Sequence, residues 1–430
     1  MSDVKELYKE KLSSAEEAIK LIKDGDTVVV SIGEPPAILG ALSDHRREFN
    51  DIVTTQYLAQ LKLGYYDHET IDHIRQKSFF FGSATRFAGQ EGWMDFIPNS
   101  FSEAPELLRR GLVACDVFCG IVSPMDEYGY FSVSIGTEYS MAAIDVARTI
   151  LLEVNPKVPY AYGNNLIHIS KVSAIVEDDR PLFSVAAPPV SQIHLDMASH
   201  VADLVEDGST IQVGFGPVPN AMITQLHHKK DLGVHTEMIS DGILSLIECG
   251  AVTNRKKNFL PGKSIATFAL GTQKVYDYMH RNPELEMHPV DFTNNPFIAG
   301  KNDKLISVNS TLQVDFLGQC CSESIGHIPY SGTGGQLDFV RAANISKGGK
   351  AFLLLPSTAK DGTLSRIVPT LLPGAHVSTG KNDVNYIVTE FGAAQLRGKS
   401  AKQRAKELIA IAHPDFRREL KEAAKKMNLM

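Results

Sequence analysis

The residues best suited to chemistry in this chain are one glutamate and two glycine loops. Glu237 sits in Gly233-Val234-His235-Thr236-Glu237-Met238-Ile239-Ser240-Asp241-Gly242, near the end of a short, mixed strand and just before a turn. A carboxylate at such a place can project into a cleft and act as a nucleophile or base. Position alone does not single it out, because Glu138 and Glu323 also lie near glycines. The first glycine loop, Gly214-Phe215-Gly216-Pro217-Val218-Pro219-Asn220, follows a strand and precedes a helix, where ligands meet the carboxyl ends of strands. A dinucleotide fingerprint requires a third glycine where Pro219 stands, which disfavours a nicotinamide oxidoreductase. The second, Ser331-Gly332-Thr333-Gly334-Gly335-Gln336, lets backbone amides approach an anion or carbonyl oxygen closely. A tight turn and a flexible hairpin connection are the structural alternatives for the two loops. There is no G-x-S-x-G elbow, H-E-x-x-H helix or Walker loop, and the 14 histidines are scattered, His327 reading as a loop residue.

The elements that must carry these residues are duplicated. Ala15–Leu39 and Ala198–Met222 read alike at a constant offset of 183 positions, Gly25 matching Gly208, Gly33 matching Gly216 and Pro36 matching Pro219. Each copy predicts an amphipathic helix, with a Ser14-x-x-Glu17 capping box in the first. An Asp-Gly turn and a β-branched strand follow, Thr27–Val30 or Thr210–Val213, and then a glycine loop and a proline that opens the next helix. Further strands are predicted at Val117–Val122, Thr149–Val154, Val234–Ile239, Lys304–Val308, Ala351–Leu355 and Asn385–Val388. Helices are predicted at Ala104–Gly111, Tyr139–Ala147, Gly242–Cys249, Thr272–His280 and Ser400–Ala412, with a charged helix after Pro414. This alternation predicts an α/β fold of two tandem similar domains, 1–187 and 188–430, each a mainly parallel sheet covered by helices. The boundary is expected where Ala187-Pro188-Pro189 interrupts regular structure.

Composition narrows the setting. The 430 residues, 43 % hydrophobic and 22 % charged, suit two globular cores. The net charge of −7 argues against a general nucleic-acid binder, although local groups such as His227–Lys230 and Arg255–Lys257 could still meet phosphates. The five cysteines show no zinc spacing and read as buried packing thiols in a reducing compartment. No secretory signal and no bilayer-length apolar run is apparent, so a cytoplasmic protein without membrane association is expected.

At EDGSTIQVGFGPVPNA, GVHTEMISDG, LQVDFLGQCCSESIG, SGTGGQLDFVR, PSTAKDG and IAHPDFRREL the chain strongly resembles the acetyl-CoA hydrolase/transferase family of class I CoA-transferases. The likeness covers nearly the whole chain and is greatest to the 4-hydroxybutyrate and butyryl-CoA:acetate CoA-transferase branch. The resemblance implies that Glu237 is the nucleophile, carrying first a mixed anhydride and then a glutamyl-CoA thioester in a ping-pong reaction. It implies that Gly214, Phe215, Gly216, Pro217 and Val218 bind CoA and help form an oxyanion site, with further CoA contact through Gly334 and Gly335. Ser357, Lys360 and Asn382 fall in segments it assigns to CoA. The Ser31–Pro36 loop is expected to face the acyl group, and its Ser31-Ile32-Gly33 portion varies across the branch. The implied partners are an acyl-CoA and short-chain carboxylates, with no metal, no cofactor beyond CoA itself, and a homo-oligomeric assembly. An acyl-CoA hydrolase, a transferase for a short dicarboxylate such as itaconate, and a non-catalytic CoA sensor are the alternatives on the same fold.

Overall fold

The protein is described from a computed structural model covering residues 2–430 except 186–188 and 215, with backbone only for Ser2 and Asp3. The Pro-containing interruption expected at 187–189 therefore lies largely outside the described residues. The chain forms two compact units, Met1–Val185 with Ile265–Thr293, and Ala186–Ser264 with Asn294–Met430. A linear cut at 187/188 puts 265–293 in the second domain, but this segment packs with the first. Leu285–Met287 pairs in parallel with Tyr162–Gly163, Thr137 N donates to Thr267 O at 3.1 Å, and Val290 N donates to Glu138 O at 2.9 Å.

In the first unit, β1 (Thr27–Val30) leads through a loop into α1 (Pro36–Asp44). The strands β2 (Ile52–Tyr57), β3 (Ile74–Phe80), β4 (Asp95–Phe96), β5 (Val117–Val122), β6 (Thr149–Val154) and β7 (Ala174–Glu177) complete a parallel sheet of order β7-β6-β5-β1-β2-β3-β4. In the second unit, β8 (Thr210–Val213) leads into α2 (Pro217–Gln225), followed by β9 (Gly233–Val234), β10 (Leu305–Ser310), α3 (Gln336–Ile345), β11 (Lys350–Leu354), β12 (Tyr386–Thr389) and β13 (Gly392–Gln395). Their order is β9-β8-β10-β11-β12-β13, parallel except for the closing β12–β13 pair. The expected α/β architecture is present in both units.

Both sheets are covered on two faces, which explains why their strands read as continuous apolar runs rather than alternations. Val28, Val29 and Val30 are wholly buried, as are Leu151 and Leu152. The second core gathers Leu305, Phe316, Phe339, Leu353, Ile387 and Leu408. β1, β5, β6 and β8 span the residues predicted. The remaining strands and the helices move by one or two residues at their ends, with one exception. The strand expected over Val234–Ile239 is two short strands, Gly233–Val234 and Met238–Ile239. His235 N makes the last bond to Ile211 O, and Glu237 falls in the gap. In the first copy the leading helix is only Ala15–Ala18 plus a 3-10 turn, and of the expected capping box the Ser14 half forms, its hydroxyl accepting from Glu17 N.

The two units differ where they should be alike. Glu153 on β6 and Leu354 on β11 hold corresponding ladder positions. Glu153 Oε2 accepts from Ala37 N at 2.7 Å and Ile38 N at 3.1 Å, occupying the N-terminus of α1 with an internal carboxylate. Leu354 cannot do this for α2.

Two smaller expectations are corrected. Lys257 is buried, its ammonium donating to Val234 O and Lys263 O, so it is a structural cation rather than a phosphate ligand. The five cysteines are free, but Cys249 is exposed and Cys115 half-buried; only Cys119, Cys320 and Cys321 are buried thiols. No described helix is long and apolar enough to cross a membrane.

Candidate active site

Glu237 lies in the break between two strands, partly accessible, with its carboxyl group set deep in the second unit. Asn294 Nδ2 donates to Glu237 Oε2 at 2.7 Å, and the Gly335 backbone N–H also donates to this carboxylate. Burial pushes the Glu237 carboxyl up to about 7; the Asn294 and Gly335 hydrogen bonds oppose the rise, and the neighbouring Asp338 carboxylate adds to it. Oε2 is thus held by Asn294, and the carboxyl group as a whole meets two donors.

The carboxylate occupies the space that a side chain at Gly335 would take. A Cβ there would collide with Glu237 Oε2 and Asn294 Nδ2. It caps the N-terminus of α3, whose partial positive charge faces the carboxylate. Gly334 before it has φ +57°, a left-handed conformation that turns the chain into the helix. Gln336 anchors the loop from the other side, its Nε2 donating to Ser322 Oγ at 2.9 Å and Thr379 Oγ1 at 3.0 Å.

The other loop leaves β8 at Gly214, where a Cβ would come within 2.9 Å of Asn309 Oδ1. Asn309 belongs to a polar cluster with Gln212 and Ser307 at the ends of β8 and β10. Gly216, with φ +135°, then admits the helix α2 through Pro217 and Val218. Phe215 lies outside the described residues.

Comparison with known proteins decides what this constellation belongs to. Residues 1–186 match the acetyl-CoA hydrolase/transferase N-terminal domain, and residues 271–424 match its C-terminal domain. The chain belongs to the acetyl-CoA hydrolase/transferase family. It is an enzyme of the CoA-transferase kind. Among its relatives, a succinyl-CoA:cyclohexane-1-carboxylate CoA transferase of Geobacter metallireducens is 51 % identical, covering 98 % of this chain and 96 % of its own. A 4-hydroxybutyrate coenzyme A transferase of Clostridium kluyveri is 42 % identical over 98 % of this chain and 99 % of its own. The crystal structure of RipA from Yersinia pestis superimposes with a TM-score of 0.94 at 39 % identity, covering 99 % of this chain and 100 % of that one.

Within this acetyl-CoA hydrolase/transferase chain the remaining candidates separate. Ser357 is wholly buried, and both its hydroxyl and its N–H donate to the Glu390 carboxylate, at 2.6 and 2.9 Å. Its hydroxyl proton is therefore committed within the fold. Lys360 is exposed at the tip of the hairpin joining Thr358–Ala359 to Leu364–Ser365, and Asn382 is exposed in the turn before β12. The rival carboxylates have other partners. Glu138 is wholly buried in the first unit, accepting from Ile32 N at 2.8 Å. Glu323 is 7 % exposed and faces His376 at 3.7 Å. A cavity of about 830 Å³ in the first unit, lined by Lys5, Tyr8, Val154 and Glu177 among others, includes none of the candidate residues.

Asn294 escaped the sequence reading. Its neighbour Asn295 accepts from Phe297 N at 3.0 Å and caps the helix Pro296–Ala299, which explains one asparagine of the pair. The other, left without a capping duty, was the available signal.

Proposed function

We propose that this chain transfers CoA from an acyl-CoA to a short carboxylic acid through covalent intermediates on Glu237. The observation that carries the reading is the clamp on a buried carboxyl group: Asn294 Nδ2 donates to Oε2, and the Gly335 N–H donates to the same carboxyl group. Oε1 attacks the thioester carbonyl, the C–S bond breaks, and CoA leaves as thiolate, giving an acyl-glutamyl anhydride. The thiolate then attacks the Glu237 carboxyl carbon. Charge develops on Oε2, where Asn294 Nδ2 already points, and the first acid departs as carboxylate to leave glutamyl-CoA. A second carboxylate attacks that thioester and the same steps run in reverse, restoring Glu237. No net proton is exchanged and the thioester energy is conserved.

The names of the relatives support an acyl-CoA donor and a carboxylic acid acceptor. Exposure of the chain to acyl-CoA, followed by borohydride reduction or hydroxylamine trapping and peptide mapping, is expected to mark Glu237. Glu237→Gln should lose exchange of labelled acid. Marking at Glu138 or Glu323, or unchanged exchange by the variant, would overturn the assignment. Consumption of acyl-CoA should depend on an acceptor acid; turnover indifferent to it would identify a hydrolase.

A further inference from the structure

We propose that Arg366 is a binding residue for a phosphate group of the acyl-CoA substrate, an assignment that rests on the functional reading above. Arg366 directly follows the strand Leu364–Ser365 of the hairpin that carries Lys360 at its tip. Its backbone is locked: its N–H donates to Ser357 O at 2.9 Å, and its carbonyl accepts from Val314 N at 3.0 Å. The side chain is not. It is partly buried, its Nε is shielded from solvent without a hydrogen-bond partner, and among the described residues its guanidinium makes no ion pair.

A guanidinium Nε shielded from water without an acceptor is unfavourable, and a bound anion that meets the rest of the fork offsets that cost. The carboxylate that acts on Arg366 from within the fold is Glu390. Both oxygens of that carboxylate are already engaged by Ser357, at 2.6 and 2.9 Å, and do not form an ion pair with the arginine. Glu390 lowers the cost of placing a cation here without consuming its donors. The planar fork of arginine matches the oxygens of a phosphate.

The location relates Arg366 to the nucleophile through one loop. Tyr330, at the start of the second glycine loop, lies within electrostatic range of Arg366. The chain from Tyr330 passes through Gly332 and Gly334 to Gly335, which touches Glu237. Five residues of fully extended chain span at most about 17 Å, so this bounds the separation of the two loop ends. An acyl-CoA with its thioester carbon at Glu237 extends its pantetheine arm and then its phosphates over a comparable reach. Lys360, exposed on the same hairpin, supplies a second cation for that end of the ligand.

The test compares acyl-CoA with acyl-pantetheine, which carries the same thioester and no phosphate. Arg366→Ala is expected to lower kcat/KM for acyl-CoA, and to weaken binding of free CoA, by about 10- to 100-fold. It should leave kcat/KM for acyl-pantetheine within about twofold of the unaltered enzyme, which also shows that the variant folds. Arg366→Lys should recover part of the loss, because a point charge replaces the fork. Dephospho-CoA locates the phosphate: an equal loss with it assigns the pyrophosphate, and a loss confined to CoA assigns the 3′-phosphate. Equal losses with CoA and pantetheine donors, or no loss with either, would overturn the assignment, as would an effect confined to the KM of the acceptor acid. An unaltered enzyme that bound no CoA would remove the functional reading itself and this assignment with it.

Discussion

At the scale of single residues, Glu237 and Asn294 divide the labour between attack and stabilisation. Glu237 must be ionised to attack, yet it sits where burial lifts its carboxyl to about 7. A partly desolvated carboxylate near the middle of its titration is a stronger nucleophile than one fully hydrated, and Asn294 keeps the retained oxygen in place. Asn294→Ala is expected to lower kcat by about 10²–10³, the usual consequence of removing one oxyanion donor, with KM for acyl-CoA changed far less. The amide oxygen of Asn294 has no hydrogen-bond partner, so truncation removes one bond only, that to Glu237, and the Gly335 N–H still meets this carboxyl group; thermal stability should therefore fall far less than kcat. A loss of stability in step with the loss of rate would make Asn294 a structural residue instead. Glu237 was legible because it lies in a contiguous motif. Asn294 was not, because it stands 57 positions from Glu237 and only the fold brings the two together.

At the scale of elements, a glycine loop feeding a helix N-terminus is used in both units for different ends. In the second unit Gly335 brings the start of α3 against Glu237, so a backbone amide and the helix dipole act on a side chain from another strand. Gly335→Ala is expected to reduce kcat at least about 100-fold, because the added methyl must displace the carboxylate by a distance comparable to 1 Å. Alanine suits the backbone there, at φ −94°, so the fold should persist and the circular dichroism should match that of the unaltered chain. Activity retained by the variant would mean that the loop is free to retreat from Glu237. In the first unit α1 receives Glu153 from its own sheet. The sequence displayed the Gly33 and Gly216 loops, which open α1 and α2, as copies. It did not display that one copy is closed by its own carboxylate, since Glu153 is separated from α1 by more than a hundred positions in the chain.

At the scale of the whole molecule, the chain keeps several carboxyl groups away from water. Burial raises Glu34 to about 7, Glu138 to about 8 and Glu153 to about 7. A carboxyl group raised in the folded state favours folding most below its unfolded value, 4.5, and that contribution is lost as pH climbs through the folded value. Each displaced unit corresponds to about 1.4 kcal/mol. The unfolding temperature should therefore fall between pH 5 and 8.5. Glu138→Gln preserves an acceptor for Ile32 N–H and cannot ionise. It is expected to raise the unfolding temperature by a few degrees, roughly 2–4 °C per kcal/mol, at pH 8.5 and to have little effect at pH 5. A variant whose curve stays parallel to that of the unaltered chain at all pH values would show that Glu138 is ionised throughout.

Local pattern determined the strand and helix alternation, the duplication and the motif around Glu237, because periodicity, β-branched runs and glycine turns act over a few residues. Tertiary structure decided the matters that join distant segments. It assigned 265–293 to the first unit, broke the strand at His235–Glu237, turned Lys257 inward, and set Asn294 and Gly335 on one carboxyl group. Hydrogen bonds and desolvation depend on which groups meet across the fold, and one-dimensional spacing carries no record of that.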